Sequence, residues 1–373
     1  MIAPEPSRAI INLAAYRNNL DVIQKRIGTR TRLLVSVKAD AYGHGLLPLA
    51  HAAAAYGVAF LGVATVAEGV ALREGGITLP ILVLFQCEAD ALPAVVDHDL
   101  TLMVSDLPTA EILGVLARKR SKEVAVHCMI DLGMGRQGFE GANALASIHH
   151  LSRISHLDLQ GMATHFPDAN KVGDAFTQTQ IREFKALCKT CEKEGVPFEF
   201  IHAANSAGLV NYPDSHGDLV RPGIMTYGVW PSDVPDTHNT LQPVLRWECK
   251  VVQVRQLAPG ASVGYGRTYQ CEEASKVAIL PIGYADGYRH NFSNKAEVLI
   301  RGVRCPVRGS VCMDQIVVDV SHLSLVQTGD TATLIGSDGD EMIRVEELAV
   351  GGGTIPYEIL TSIGNRVHRE YVE

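Results

Sequence analysis

The chain has 373 residues, 47% of them hydrophobic and 20% charged, with a net charge of −8. That is room for about two domains of ~150 residues each and a large apolar core. The acidic balance argues against a nucleic-acid binder, which needs clustered basic residues; Arg118-Lys-Arg-Ser-Lys122 is short and reads as a solvated helix end.

Met1–Arg8 is polar, with two prolines and no charged-then-apolar leader. No apolar run is long enough to span a bilayer, so a cytoplasmic protein without membrane contact is expected. The cysteines lie in apolar runs (Cys87, Cys128, Cys249, Cys312), as reduced, buried thiols do. Cys188 and Cys191 form a lone C-x-x-C in a helical pattern. No second pair follows, so they read as structural and no metal site is expected.

In chain order, Ile11–Ile27 repeats apolar residues at helical spacing (Leu13, Tyr16, Leu20, Ile23, Ile27) and stops at Gly28, which predicts an amphipathic helix. Eight short apolar runs follow: Arg32–Lys38, Ala59–Thr65, Pro80–Gln86, Leu100–Ser105, Val124–Asp131, Leu157–His165, Phe198–Asn205 and Leu219–Met225. Helix-spaced segments separate them, such as Ile112-Leu113-Leu116 and Phe176, Ile181, Phe184, Leu187. Alternating strand and helix patterns predict a parallel sheet, and eight units predict a (β/α)8 barrel of the TIM type. The alternation stops at Pro231–Leu241, where Pro231, Pro235, Asp236, Thr237 and Asn239 mark a linker. Period-two runs come next: Trp247–Leu257, Val277–Ile282, Glu297–Ile300, Ile316–Val320 and Thr331–Ile335. They predict a small all-β domain. The expected domains are a barrel over 10–235 and a C-terminal β domain over 236–373, with residues 1–9 packing on the latter. Ser337–Glu341 lacks the full calcium-loop pattern and reads as a hairpin turn. Gly351–Gly353 precedes Ile355-Pro-Tyr357-Glu358 and a short amphipathic end, Ile359–Val367.

Barrel enzymes place their chemistry at the C-terminal ends of the strands. The residues at those ends are Lys38, Arg136, His165, Asn205-Ser206 and Arg221-Pro-Gly223-Ile224. Leu33–Val37 reads as a buried strand that ends abruptly in Lys38, with Tyr42, Gly43 and Gly45 just beyond. Lysine is rarely fully buried. Most strand-end lysines only carry surface charge, but a desolvated one loses its proton and forms a Schiff base with an aldehyde. The Tyr42 hydroxyl and the glycine amides offer donors to an anion. The loops after strands seven and eight, which commonly bind phosphate, hold Ser206 and Gly223-Ile224. A phosphate beside that aldehyde would give pyridoxal 5′-phosphate, the cofactor expected here.

Nine motifs then fall in order along nearly the whole chain: Val37-Lys-Ala-Asp-Ala-Tyr-Gly-His-Gly45, Gly133-Met-Gly-Arg136, Thr164-His-Phe166, Ala204-Asn-Ser-Ala207, Arg221-Pro-Gly223, Val263-Gly-Tyr-Gly-Arg267, Gly283-Tyr-Ala-Asp-Gly287, Cys312-Met-Asp-Gln315 and Ile355-Pro-Tyr-Glu358. The set resembles the alanine racemases, two-domain pyridoxal-phosphate enzymes that supply D-alanine for peptidoglycan. The resemblance implies that Lys38 holds the cofactor, and that Lys38 and Tyr265 are the two catalytic bases, for the D and L sides. It implies a homodimer with shared active sites, since Tyr265 and the backbone N–H of Met313 would come from the partner subunit. His165 and Arg221 would supply cationic donors to the Tyr265 phenolate, and Arg221 would face the pyridine nitrogen. Tyr42, Ser206, Tyr357 and the amides of Asn205, Gly223 and Ile224 would hold the phosphate. Arg136 would reach the phenolic oxygen and the substrate carboxylate. Tyr284, with Asn170, Arg289 and His290, would line the entrance.

The sequence departs from the family pattern in places. Many members carry a lysine at the position of Met129, whose carbamylated form braces the arginine; methionine leaves Arg136 to an anion or to a looser setting. Asn170 replaces a usual aspartate, and His290 and Ser310 stand where entrance arginines are common, with Arg289 and Arg308 nearby. These changes keep a serine or broad-specificity racemase open as an alternative. A non-catalytic pyridoxal-phosphate carrier is the alternative of another class; a full β domain with Tyr265 and Met313 argues against it. A basic amino-acid decarboxylase would want an acidic partner at the pyridine nitrogen, where Arg221 stands.

Overall fold

The structure, a computed structural model, describes residues 7–232 and 241–373. The linker residues Pro235, Asp236, Thr237 and Asn239, and with them the expected boundary at 235/236, lie outside the described residues. The described residues group into two compact units. One comprises those of Arg17–Ala41 and Leu46–Gln242; the other, residues 7–16, Tyr42–Gly45 and Pro243–Glu373.

The first unit is the barrel. Its strands are Arg32–Ser36, Phe60–Val63, Ile81–Val83, Thr101–Val104, Val124–Asp131, Leu157–Ala163, Phe200–His202 and Leu219–Val220. Each runs parallel to its neighbour in that order, and Leu219–Val220 returns to Arg32–Ser36. The ring closes between the seventh and eighth strands through the Asn205–Arg221 bridge, with Arg221 N–H donating to the Ala204 carbonyl at 2.8 Å. Every predicted run carries one of these strands. The runs are apolar on both faces because helices cover the outside and side chains fill the inside. Each strand sends one buried side chain into a common cluster: Leu34, Phe60, Leu82, Met103, Met129, Ala163, Phe200 and Leu219. The interior is therefore a packed core, and the chemistry is left to the strand ends.

The outer helices begin on side-chain caps. Thr65 and Glu68 form a reciprocal capping box on Val66–Glu74. Asp106 caps Leu107–Lys119, and Asp174 caps Ala175–Lys193. Each such cap contributes about 1 kcal/mol. The first helix starts at Leu13, two residues later than its periodicity predicts, because Ile11 and Asn12 end the strand Ser7–Asn12.

The second unit is built on one long sheet. The order is Gln253–Leu257, Ser275–Leu280, Ile316–Asp319, Val303–Arg308, Glu297–Ile300, Thr331–Asp338, Leu245–Lys250, Ser7–Asn12 and His368–Val372. All neighbours are antiparallel except Ser7–Asn12 and His368–Val372, which run parallel. Glu341–Ile343 folds back on Thr331–Asp338 with Asp338 opposite Glu341, so the expected hairpin turn is present. Arg8 holds the last three strands of this order together: it donates to Glu248 at 2.6 Å and to Glu370 at 2.7 Å. No helix among the described residues is long and apolar enough to cross a membrane.

Candidate active site

Lys38 stands where the first barrel strand ends. The four residues after it are not glycines, yet all have left-handed backbone: Ala39, Asp40, Ala41 and Tyr42 have φ of 53°, 54°, 51° and 53°, and Gly43 follows at 80°. A left-handed turn costs roughly 1–2 kcal/mol per L-residue, so something must hold it. Glu68 accepts from the N–H of Ala39 and of Ala64, both at 2.7 Å. Asp40 accepts from the N–H of Leu46 at 2.7 Å. The capping glutamate of one helix thus also fastens the lysine loop.

The Lys38 ammonium has no hydrogen bond or ion pair among the described residues. What it faces is the ring of Phe85, 4.9 Å away at the end of the third strand. Burial pushes its pKa below the ordinary lysine value, and Arg136 and then Arg221 push the same way against a weaker opposing pull from Glu68.

Arg221 is buried and almost fully engaged. One terminal nitrogen donates to Nδ1 of His202 at 2.9 Å and to its carbonyl at 3.0 Å. The other donates to the carbonyls of Thr164 (2.7 Å) and Ala203 (3.0 Å) and to Nδ1 of His165 at 3.1 Å. Its Nε–H has no acceptor among the described residues. Burial, then repulsion from Arg136, lowers its pKa to about 10, which leaves it charged at neutral pH. The expectation of a cationic His165 is not met. A guanidinium offers only donors, so Nδ1 of His165 is a bare acceptor; burial and the charges of Arg221, Arg136 and Lys38 hold its pKa well below the usual histidine value. His165 is a neutral Nε2–H donor.

Around these, Gly223 N–H donates to Ser206 Oγ at 2.9 Å, which brings the loops after strands seven and eight together. Asn205 spends its side chain on structure, accepting from Gly208 N–H at 2.9 Å and donating to the Phe166 carbonyl at 3.2 Å. Ile224 is buried at the start of a short 3-10 turn, Ile224–Tyr227. Asp131 accepts from Gly133 N–H and Met134 N–H at 2.8 Å each, and shapes the loop that presents Arg136. The Arg136 guanidinium lies 5.0 Å from the centroid of Phe85. Asn170 anchors a loop through its carbonyl, which accepts from Asn211 at 3.1 Å.

On the β unit, Tyr42 and Tyr357 form a tilted ring pair with centroids 6.0 Å apart. Tyr265 is 76% exposed on a turn between Gly264 and Gly266, both at φ 68°. Met313 is 52% exposed. Tyr284 donates its N–H to the Cys312 carbonyl at 3.0 Å and lies 6.5 Å from the His290 ring. Arg289 is tied to Glu358 at 2.6 Å.

Phe85, Glu68, His127 and His202 are the site residues that sequence reasoning misses. Two signals were available. Phe85 ends an apolar run, and His127 and His202 are polar residues inside apolar runs. Glu68 carried none beyond its capping box.

A lysine amine biased toward its neutral, nucleophilic form, beside unused arginine donors and a hydroxyl–amide cluster, is a setting for an anionic aldehyde. Comparisons with known proteins give the family. Residues 11–231 match the family profile described as "Alanine racemase, N-terminal domain", and residues 244–371 match "Alanine racemase, C-terminal domain". The chain is 39% identical to the alanine racemase of Desulfovibrio desulfuricans over 99% of this chain and 98% of that one. Among solved structures it is similar to the alanine racemase of Clostridium difficile 630, with a TM-score of 0.95 and 34% identity, covering 100% of this chain and 97% of that one. It is also similar to the alanine racemase of Bartonella henselae with covalently bound pyridoxal phosphate, with a TM-score of 0.88 and 29% identity over 99% and 100% of the two chains.

Proposed function

As a member of the alanine racemase family, the chain is an amino-acid racemase, and we propose that it interconverts L-alanine and D-alanine on pyridoxal 5′-phosphate held by Lys38. One observation carries the reading: a half-buried lysine, its pKa lowered, that faces an aromatic ring and no carboxylate partner. The donor set fits the cofactor. Arg221 keeps an unused Nε–H for the ring nitrogen, and a guanidinium that retains its own proton leaves that nitrogen unprotonated. Ser206 and the amides of Asn205, Gly223 and Ile224 are assigned to the phosphate, as is the Tyr42–Tyr357 pair. All are neutral donors.

Bound there, the cofactor supplies the electron sink that makes an α-carbon proton removable. The protein handles the proton. Racemisation needs one taken and one given on opposite faces of a planar carbon, which a single base does not reach. Lys38 serves the D side and Tyr265 of the partner subunit serves the L side. The exposure of Tyr265 and Met313 supports this, because residues offered to a second copy must be free on the first. His165 gives Tyr265 a neutral donor, and Arg221 acts on it only through His165, whose Nδ1 takes one of its N–H groups. Arg136 and the N–H of Met313 of the partner subunit hold the substrate carboxylate. Tyr284 narrows the entrance, with Asn170, Arg289 and His290 around it. The homodimer works in the cytoplasm and its product, D-alanine, goes to peptidoglycan.

The test is a chiral product panel with L-alanine, L-serine, L-lysine and L-glutamate, run on the protein with added pyridoxal phosphate and on Tyr265→Ala. D-alanine far above the other products, lost in Tyr265→Ala while the cofactor stays bound, is the expected result. Comparable D-serine or D-lysine would turn the assignment to a broad racemase. No D-product despite bound cofactor would turn it to a carrier.

A further inference from the structure

Arg136 makes no ion pair among the described residues, and the carboxylate that acts on it, Asp131, does so only through space. Neither oxygen of Asp131 bonds to it: Oδ1 takes the amides of Gly133, Met134 and Gly135, and Oδ2 takes Gly135 at 3.0 Å. No other carboxylate pairs with Arg136 among the described residues, and Met129, on the adjoining strand, is an apolar member of the barrel core. What does meet the guanidinium is the ring of Phe85, at 5.0 Å.

That ring is fixed from both sides. The side-chain amide of Gln137, the residue next to Arg136, donates to the Leu84 carbonyl at 2.9 Å and accepts from Gln86 N–H at 3.2 Å. These are the backbone groups flanking Phe85. Gln86 is held in turn by Asp106 at 2.5 Å. The arginine and the ring are thus carried on two loops clamped together one residue away from each. The same ring also lies 4.9 Å from the Lys38 ammonium.

We propose that Phe85 is the positioning residue for Arg136: its π face, held in register by Gln137, replaces an anionic brace and sets where the guanidinium meets the substrate carboxylate. The contact stands on geometry alone; its effect on the reaction rests on the racemase reading above. A ring face attracts a cation through its quadrupole, so shape without that quadrupole should not suffice.

The experiment uses the holoenzyme with Phe85→Leu, Phe85→Tyr and pentafluorophenylalanine at position 85, which keeps the ring's shape and reverses its quadrupole. Substrate held equally in ground and transition states appears in KM. The Leu and pentafluoro proteins should raise KM for alanine about fivefold, the effect of such a contact at an exposed site, with kcat within twofold. Phe85→Tyr should restore KM. Independently of any activity, the Arg136 Nε–H resonance, assigned through Arg136→Lys, should sit upfield in the parent and Tyr proteins and move downfield in Phe85→Leu. A KM within twofold of the parent in the pentafluoro protein overturns the proposal, as does an Arg136 resonance that ignores the loss of the ring. A protein that fails to racemise at all would strike the functional reading and leave the resonance test of the contact in force.

Discussion

Arg221 donates to Nδ1 of His202 at 2.9 Å, and that bond decides where the protons sit on two rings. The guanidinium has no acceptor, so Nδ1 of His202 is bare and its proton lies on Nε2. That proton goes to Nδ1 of His127 at 2.8 Å. His127 therefore carries its own proton on Nε2, which has no partner among the described residues. Both rings are fully buried, and His127 stacks on Phe200 with centroids 5.8 Å apart.

The first prediction concerns pH and stability. Burial, helped by Arg221, lowers the His127 pKa to about 3. Unfolded histidine titrates near ~6.5. Below that value the unfolded chain takes up a proton that the folded chain refuses, so stability is full above pH ~6.5 and falls as pH drops toward the folded value. Between pH ~7.5 and ~5 the loss from this one ring should be about 2 kcal/mol. Urea midpoints at the two pH values, with cofactor held saturating, give the gap. In His127→Leu both midpoints should fall, because His202 loses its acceptor, but the gap should shrink by that amount. An unchanged gap would mean that the ring is not held neutral.

Lys38 should be tunable in both directions from residues it does not touch. Arg136 depresses its pKa and Glu68 raises it. Arg136→Met should therefore move the pH midpoint for capture of pyridoxal phosphate by the cofactor-free protein upward, and Glu68→Gln should move it downward. The rate of the absorbance change on mixing, followed across pH, reads both. Shifts of the same sign would show that burial alone controls the amine.

The left-handed turn yields an opposed pair. Ala39 is exposed and contributes no packing, so Ala39→Gly should relieve strain and raise stability by roughly 0.5–1 kcal/mol, after the entropy that glycine adds to the unfolded chain. At Gly43 a β-carbon would lie 2.2 Å from the Leu360 carbonyl oxygen. Gly43→Ala should cost several times as much and lower the yield of folded protein. Thermal midpoints of the two variants settle it; a stabilised Gly43→Ala would show that the backbone there yields.

Much of this architecture is written in local pattern. The eight barrel runs are legible because a strand covered on both faces is apolar throughout. Val303–Arg308 was not, since Arg304, Pro306 and Arg308 interrupt it. Arg304 is exposed enough to reach Glu297, Glu341 and Glu347 together, and its charge belongs to a surface network that no periodicity reveals. His368–Val372 was missed because it opens with three polar residues in a row, His368, Arg369 and Glu370, on a strand that buries little. At the site, Lys38, Arg136, His165 and Arg221 announced themselves as polar strand ends. The turn after Lys38 did not: Ala-Asp-Ala-Tyr has no residue that favours positive φ, and the conformation is imposed by Glu68, 29 positions from Ala39. Phe85 looks like core in a sequence and becomes a cation's neighbour only once two loops meet.

The strand Ser7–Asn12 has a consequence for how the chain is made. Arg8 is 240 positions from Glu248 and 362 from Glu370, its partners on the two flanking strands. At translation rates of about 5–20 residues per second, the strand waits on the order of ten seconds or more for its first neighbour and longer for its second. Its pairing edges are open throughout, the condition under which strands find wrong partners. The barrel unit is complete in sequence at Gln242, just before the first neighbour and well before the second. The two units should thus mature at different times on the ribosome, with a chaperone's work concentrated on the first six-residue strand and the last five-residue one.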